Sequence, residues 1–285
     1  MKKLFFAAAV ALTLAAACNQ TPKSSFTKKV ADYAVVTIPA PDLSDITDNG
    51  KEVLNLYRFA ADEVDAIYWE QYFGDKAALL EGITDPVQKT YVEINYGPWD
   101  RKDGSSFVEG YEDRLPGAGF YPADMTVEEF VELADPAKKS PYTLIRRAED
   151  GSLRTVWFHD EYKEHIDKIC NYLQAAGDIT IKPSVKKYLL AKAEALRTDK
   201  YYESGIAWLD MDDSKMDLVI GPDEAVDDQL FGIKRSYEAY VLLKNQARTD
   251  ELTEFVSRIG EFQNELPGDP AYKTFQPGIG SNIFS

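Results

Sequence analysis

The chain has 285 residues, 48 acidic against 32 basic, and a formal net charge of −16. So acidic a polypeptide, with no basic patch or stripe, is repelled by nucleic acid and by anionic lipid surfaces, and neither is an electrostatic partner for it. The length suffices for one large domain or two modest ones.

Met1 to Ala17 has the three parts of a secretory signal: Lys2 and Lys3, an apolar core from Leu4 to Leu14, then Ala15-Ala16-Ala17 before a cleavage point. The apolar run is too short for a comfortable membrane span. Cys18, directly after the small residues, reads as a lipobox cysteine; ordinary cleavage beside an incidental cysteine is the bland alternative. Lipid on the Cys18 thiol and on its amino terminus would form a multi-chain anchor, placing the protein in a bacterial cell envelope, on its periplasmic or outer-membrane face. Residues 18–29 then form a polar tether and residues 30–285 one α+β lobe. Cys170 lies within an apolar helical pattern and reads as a buried, inert thiol.

Along the lobe, Val30 to Ile38 is predicted as a first strand, ended by Pro39-Ala40-Pro41. Asp48 starts a long helix with apolar residues at Val53, Tyr57, Ala60, Val64, Ile67 and Tyr72, stopped by Gly74. Helices follow over Lys76–Ile83 and from Pro86 through Ile94. Asn95 to Met125 is a long glycine- and proline-rich segment whose aromatics need something to pack on, which argues against disorder. Thr126 to Glu129 is a capping box opening a short helix. Tyr142–Arg147 and Leu153–Phe158 flank a turn and form the clearest hairpin. Helices are expected from Asp160 to Ala176, ended by Gly177, and from Pro183 to Arg197. Ile206–Met211 and Met216–Ile220 read as short strands, Thr249–Leu266 as a helix capped at Thr249, and residues 276–282 as a turn-rich connection.

The stretch from Asp217 to Val241 concentrates the chemistry. Leu218-Val219-Ile220 ends at Gly221-Pro222, a strong turn pair, and Asp223, Glu224, Asp227 and Asp228 follow within six positions. Four carboxylates in one loop repel one another unless cations, amines or water receive them. A solvated acidic loop accounts for the same spacing.

Catalytic signatures are missing. A zinc peptidase needs histidines one turn apart on a helix with a glutamate between them. His159 and His165, the two histidines of the chain, are six residues apart and fall on different helix faces. His165 is expected to pair with Glu161 on the helix surface. Asp210, Asp212 and Asp213 lack the spacing of a calcium loop. No nucleophile elbow, phosphate loop or dinucleotide fingerprint occurs. No catalytic or metal-ligating residue is therefore assigned.

Four segments carry a family resemblance: NYGPWDR (Asn95–Arg101), FYP (Phe120–Pro122), AWLDM (Ala207–Met211) and VIGPDEAVDDQLFG (Val219–Gly232). Together they resemble the short bacterial branch of the dipeptidyl peptidase III family of zinc metallopeptidases, over Tyr33 to Pro277. The resemblance implies the lower lobe of a two-lobed fold, with helices and a small β-barrel or antiparallel sheet, and without the zinc-bearing helical lobe. It implies peptides as partners, lying in a cleft as an added strand, with Glu224 and Asp228 as substrate-binding residues near the amino terminus. Val226 stands where the family has a tyrosine, which removes one hydroxyl from that anchor. Zinc belongs to the full-length family and no cofactor is expected in this chain, so the chain by itself is expected not to hydrolyse peptides. The alternative is a surface lipoprotein that binds peptides or sugars without catalysis.

Overall fold

The computed structural model describes residues 24–37, 39–211 and 214–269; the signal, Cys18, Asp212, Asp213 and the 276–282 segment lie outside them. The frame is α2 (Asp48–Tyr72), capped by the Thr47 hydroxyl, which accepts the Gly50 N–H. Its 25 residues make a rod of roughly 37 Å. Val53, Tyr57, Ala60, Val64 and Ile67, alternating four and three residues apart, are all buried and form one stripe. That stripe packs against α7 (Lys163–Ile179), which packs on α8 (Pro183–Thr198), which in turn packs on α9 (Tyr202–Leu209). Short helices α1 (Thr27–Ala31), α3 (Lys76–Glu81), α4 (Pro86–Asn95), α5 (Val127–Glu132) and α6 (Phe158–Glu161) fill in around this layer.

The β structure is two antiparallel pairs. β1 (Thr143–Arg147) meets β2 (Leu153–Trp157) with Thr143 opposite Trp157, and β3 (Met216–Glu224) meets β4 (Ser236–Leu243) with Met216 opposite Leu243. They remain separate sheets, and no barrel closes among the described residues. The α+β class and the antiparallel sheets stand; the barrel does not. Two further helices, α10 (Gln246–Ser257) and α11 (Ile259–Glu265), complete the described chain.

Several sequence expectations change. The run after Val30 is not a strand: Thr27–Ala31 is helical, and Val35 stands 95% exposed, with no neighbouring strand to pair it. The run from Ile206 is not a strand: it closes α9, with Asp210 as C-cap and Met211 beyond it, and Ala207 turns inward beside Ser204 with the period of a helix; so short an apolar run fits either element. Gly177 does not end its helix. It is buried where a Cβ would lie 3.2 Å from Leu190, so its smallness serves close approach of α7 to α8. The helix before it is split at Tyr162. The last predicted helix breaks at Arg258, and Asn245 rather than Thr249 caps it. His165 faces α2: its Nδ1 lies 2.6 Å from Glu63 and its Nε2 3.3 Å from Glu70, while Glu161 pairs with Arg146.

Gly221-Pro222 does not end β3 either. Gly221 adopts φ +141°, which suits glycine, and the strand continues to Glu224 through a register shift. Pro222 sits opposite Tyr237, whose N–H is given to Gln71 rather than to β3, so the missing proline N–H interrupts nothing.

The long aromatic segment is ordered by packing. Trp99 and Tyr111 sit against Phe73, Phe107 against Tyr91, and Phe120 is buried in the main core. The capping box at Thr126 and Glu129 forms in both directions. Gly119 fixes the path: its φ is +89°, and an added Cβ would fall 1.9 Å from the Gln71 carbonyl oxygen. Gly119→Ala should therefore destabilise the chain by about 3–5 kcal/mol, read as a lower urea midpoint with unchanged slope. A midpoint within experimental error of the parent would contradict the close approach.

Candidate functional site

The acidic loop folds around one carboxylate. Asp228, 3% exposed, accepts hydrogen bonds from the Tyr121 hydroxyl at 2.8 Å and from the N–H groups of Leu230, Phe231, Ile233 and Lys234 at 2.8–3.2 Å. A carboxylate offers about four lone-pair directions, so these five donors occupy it fully. Burial raises its pKa, but the donated hydrogen bonds outweigh burial and hold it below the ordinary aspartate value. Next to it Lys234 is buried and donates to Lys138 O, Ser140 O and Thr143 Oγ1; burial pulls its ammonium down to about 8. The loop is thereby fastened to the start of β1.

With Asp228 turned inward, Asp227 and Glu224 fall on the other side of the loop. Asp227 receives the Tyr68 hydroxyl at 3.1 Å and the Ser236 hydroxyl at 2.8 Å, and Arg101 stands 3.6 Å away. Glu224 Oε1 accepts the Val226 N–H at 2.7 Å. Its Oε2 is buried with no hydrogen-bond partner. Val226 itself is 72% exposed.

These groups border a cavity of about 350 Å³ between α2 and the edge of β4. Gln71 on α2 pins that edge, accepting the Tyr237 N–H at 2.7 Å and donating to Arg235 O at 3.3 Å. Backbone polarity alternates along a strand, so Ala239, two residues on, turns its N–H and C=O to the same side, where it borders the cavity. Asp65, Glu224, Asp227 and Glu238 face the space with Arg101 as the opposing charge. Burial raises the Glu238 pKa, the Tyr240 hydroxyl lowers it, and the Asp223 and Glu224 charges raise it further. A cation entering the cavity would relieve this mutual repulsion.

The NYGPWDR segment acquires a physical reason. Asn95 is buried; its amide donates to Tyr91 O at 2.7 Å and its oxygen accepts the Arg101 N–H at 3.0 Å, closing the segment on itself. Tyr96 takes a left-handed φ of 56° at the end of α4, and its hydroxyl reaches Asp65 at 2.7 Å. The Arg101 guanidinium then lies over the rings of Tyr68, Tyr72 and Tyr96, 4.9–5.9 Å from their centroids. Of the two sequence-assigned substrate residues, Glu224 borders the cavity. Asp228 positions the loop from behind and does not reach it. Sequence reasoning missed Arg101, Tyr68 and Gln71 as site residues, although NYGPWDR held the signal for Arg101.

Among the described residues, no group of three or more His, Cys, Asp or Glu side chains could hold a metal ion. Nor, among the described residues, is any helix long and apolar enough to cross a membrane.

Against solved structures, the chain is similar to dipeptidyl peptidase III from Caldithrix abyssi, with 34% identity and a TM-score of 0.78 over 87% of this chain. The corresponding figures for dipeptidyl-peptidase III from Corallococcus sp. strain EGB are 29% and 0.77 over 86%. The chain folds as a partial dipeptidyl peptidase III-like lobe. It spans about half the length of these structures, 49% and 48% respectively. A curated relative, "Nudix hydrolase 3" of Arabidopsis thaliana, is 28% identical over 313 aligned positions that cover 88% of this chain and 40% of the plant protein. That name describes a protein of which the shared part is the minority. No protein-family model matches the chain.

Removing the central acceptor should loosen the whole loop. Asp228→Ala is expected to cost about 2–4 kcal/mol, since it strands buried donors. A depressed carboxylate pKa stabilises the fold above the unfolded value of 3.8 and loses that contribution as pH falls through the folded value. Unfolding free energy measured from pH 6 downward should therefore fall more steeply in the parent than in Asp228→Asn.

Proposed function

We propose that this chain is the peptide-binding lobe of a dipeptidyl peptidase III-like protein, and that Glu224 receives the free amino terminus of the peptide. The observation that carries this reading is the buried, unpartnered Oε2 of Glu224, a residue that lines a cavity bordered also by Ala239 of β4. A buried acceptor without a partner is costly, and an ammonium group is the donor that would gain most by meeting it. The β4 edge at Ala239 offers main-chain hydrogen bonds to an extended peptide, as in strand addition. Val226 is too far out and too apolar to replace a hydroxyl anchor, so Asp227 and Glu238 would supply the remaining negative field.

In the whole proteins that the fold resembles, release of dipeptides from peptide amino termini with zinc would complete this function. With two histidines six residues apart, this chain has no pair of histidines one helical turn apart. We place the lobe at a bacterial envelope through lipid on Cys18, a reading supported by the sequence pattern of residues 1–18.

A peptide such as tetra-alanine should bind the chain, measured calorimetrically, at least tenfold more tightly than its N-acetylated form. Glu224→Gln should remove that preference while leaving the melting temperature within a few degrees. Equal binding of both peptides would refute the assignment of the amine to Glu224. Added zinc should yield no dipeptide from the isolated chain; stoichiometric zinc with dipeptide release would favour a catalytic lobe over a binding one.

A further inference from the structure

On the opposite side of β3 from the Glu224 cavity lies a second pocket, of about 230 Å³, between α8, α9 and the strand. Lys192 reaches into it. The residue is only 8% exposed, yet its ammonium makes no hydrogen bond or ion pair with any described residue. Its contacts are the faces of Tyr188 and Tyr201, 5.9 and 5.5 Å from the ring centroids. Burial pulls its pKa below the ordinary lysine value, and the Asp223 charge offsets that only in part.

Asp223 stands at the exposed rim of the same pocket. Lys192 Nζ and Asp223 Oδ2 both approach the point where Gly221 lacks a Cβ, at 3.8 and 3.6 Å, but they do not close a salt bridge on each other. The opposite charges are therefore held apart within reach of one small molecule. The walls between them are rigid and partly apolar. Trp208 is fixed by its indole N–H on Asp217 at 2.9 Å, and the Tyr188 hydroxyl is fixed on Leu218 O. Gly205, in the middle of α9, borders the pocket, and a Cβ there would meet nothing within 4 Å. A mid-helix glycine weakens a helix, so the space it leaves open is paid for in helix propensity.

We propose that this pocket is a second ligand site, built for a small zwitterion of the free α-amino acid class, its carboxylate on Lys192 and its ammonium on Asp223. The geometry asks for both charges: a carboxylate alone would be repelled by Asp223, and an amine alone by Lys192. The volume corresponds to roughly seven or eight water-sized groups, enough for an aliphatic amino acid lying against Trp208. The proposal stands independently of peptide binding at Glu224.

Titration calorimetry of the full chain with L-leucine tests it. One site is expected, with L-leucinamide, which lacks the carboxylate, and N-acetyl-L-leucine, which lacks the ammonium, each binding at least tenfold more weakly. Asp223→Asn at the exposed rim and Gly205→Leu, which fills the open space with a better helix former, should each weaken L-leucine binding tenfold or more. Glu224→Gln should leave it unchanged. Absence of L-leucine binding at millimolar concentration, undiminished binding by Gly205→Leu, or loss of binding in Glu224→Gln would each overturn the proposal.

Discussion

One inward-facing carboxylate decides what the acidic loop can do. Asp228 gathers four backbone N–H groups and the Tyr121 hydroxyl, and buried donors of this kind require an acceptor. Because Asp228 takes the inside, its neighbours Asp227 and Glu224 are forced to the outside of the turn. There they meet α2 and the rings of Tyr68 and Tyr96 rather than solvent. Buried Lys234, six residues on, carries the same constraint to β1 through its three acceptors.

The second constraint is the attachment of the β3–β4 hairpin to α2 through Gln71. A two-stranded ribbon is marginal by itself, and here one buried amide holds its edge to the longest helix while leaving the next backbone groups free. The result is a sheet edge that is covered at one end and open at the other. Open edges invite pairing. In this lobe the opening faces a cavity lined by a glutamate with an unpaired carboxylate oxygen, which is a more selective environment than a bare edge.

Charge is distributed with a similar asymmetry on the two faces of β3. On the α2 face, carboxylates crowd round one stacked arginine, and the field favours an incoming amine. On the α8 face, a single buried ammonium stands opposite a single exposed carboxylate. The strand that separates them is bent by Gly221 and Pro222, and its side chains beyond that point serve both faces, Asp223 one and Glu224 the other.

Long amphipathic helices, the capping box at Thr126, the hairpin at Thr143–Trp157 and the resemblance in NYGPWDR and VIGPDEAVDDQLFG were all readable from the residues, because each is a local pattern of period, cap or motif. Short apolar runs were not. The start of AWLDM closes a helix and the run after Val30 found no partner strand, since four or five residues do not distinguish the two periods. Which carboxylate of the acidic loop faces the cavity was likewise undecidable from spacing: Glu224, Asp227 and Asp228 differ only in which donors surround them once Tyr121, Tyr68 and Arg101 arrive from distant segments. The amino-acid order by itself determined the long helices, the capping box at Thr126 and the acidity of the loop. Only the tertiary structure separated the carboxylate that holds the loop from the one left free to bind, because hydrogen-bond partners across more than a hundred residues made that choice.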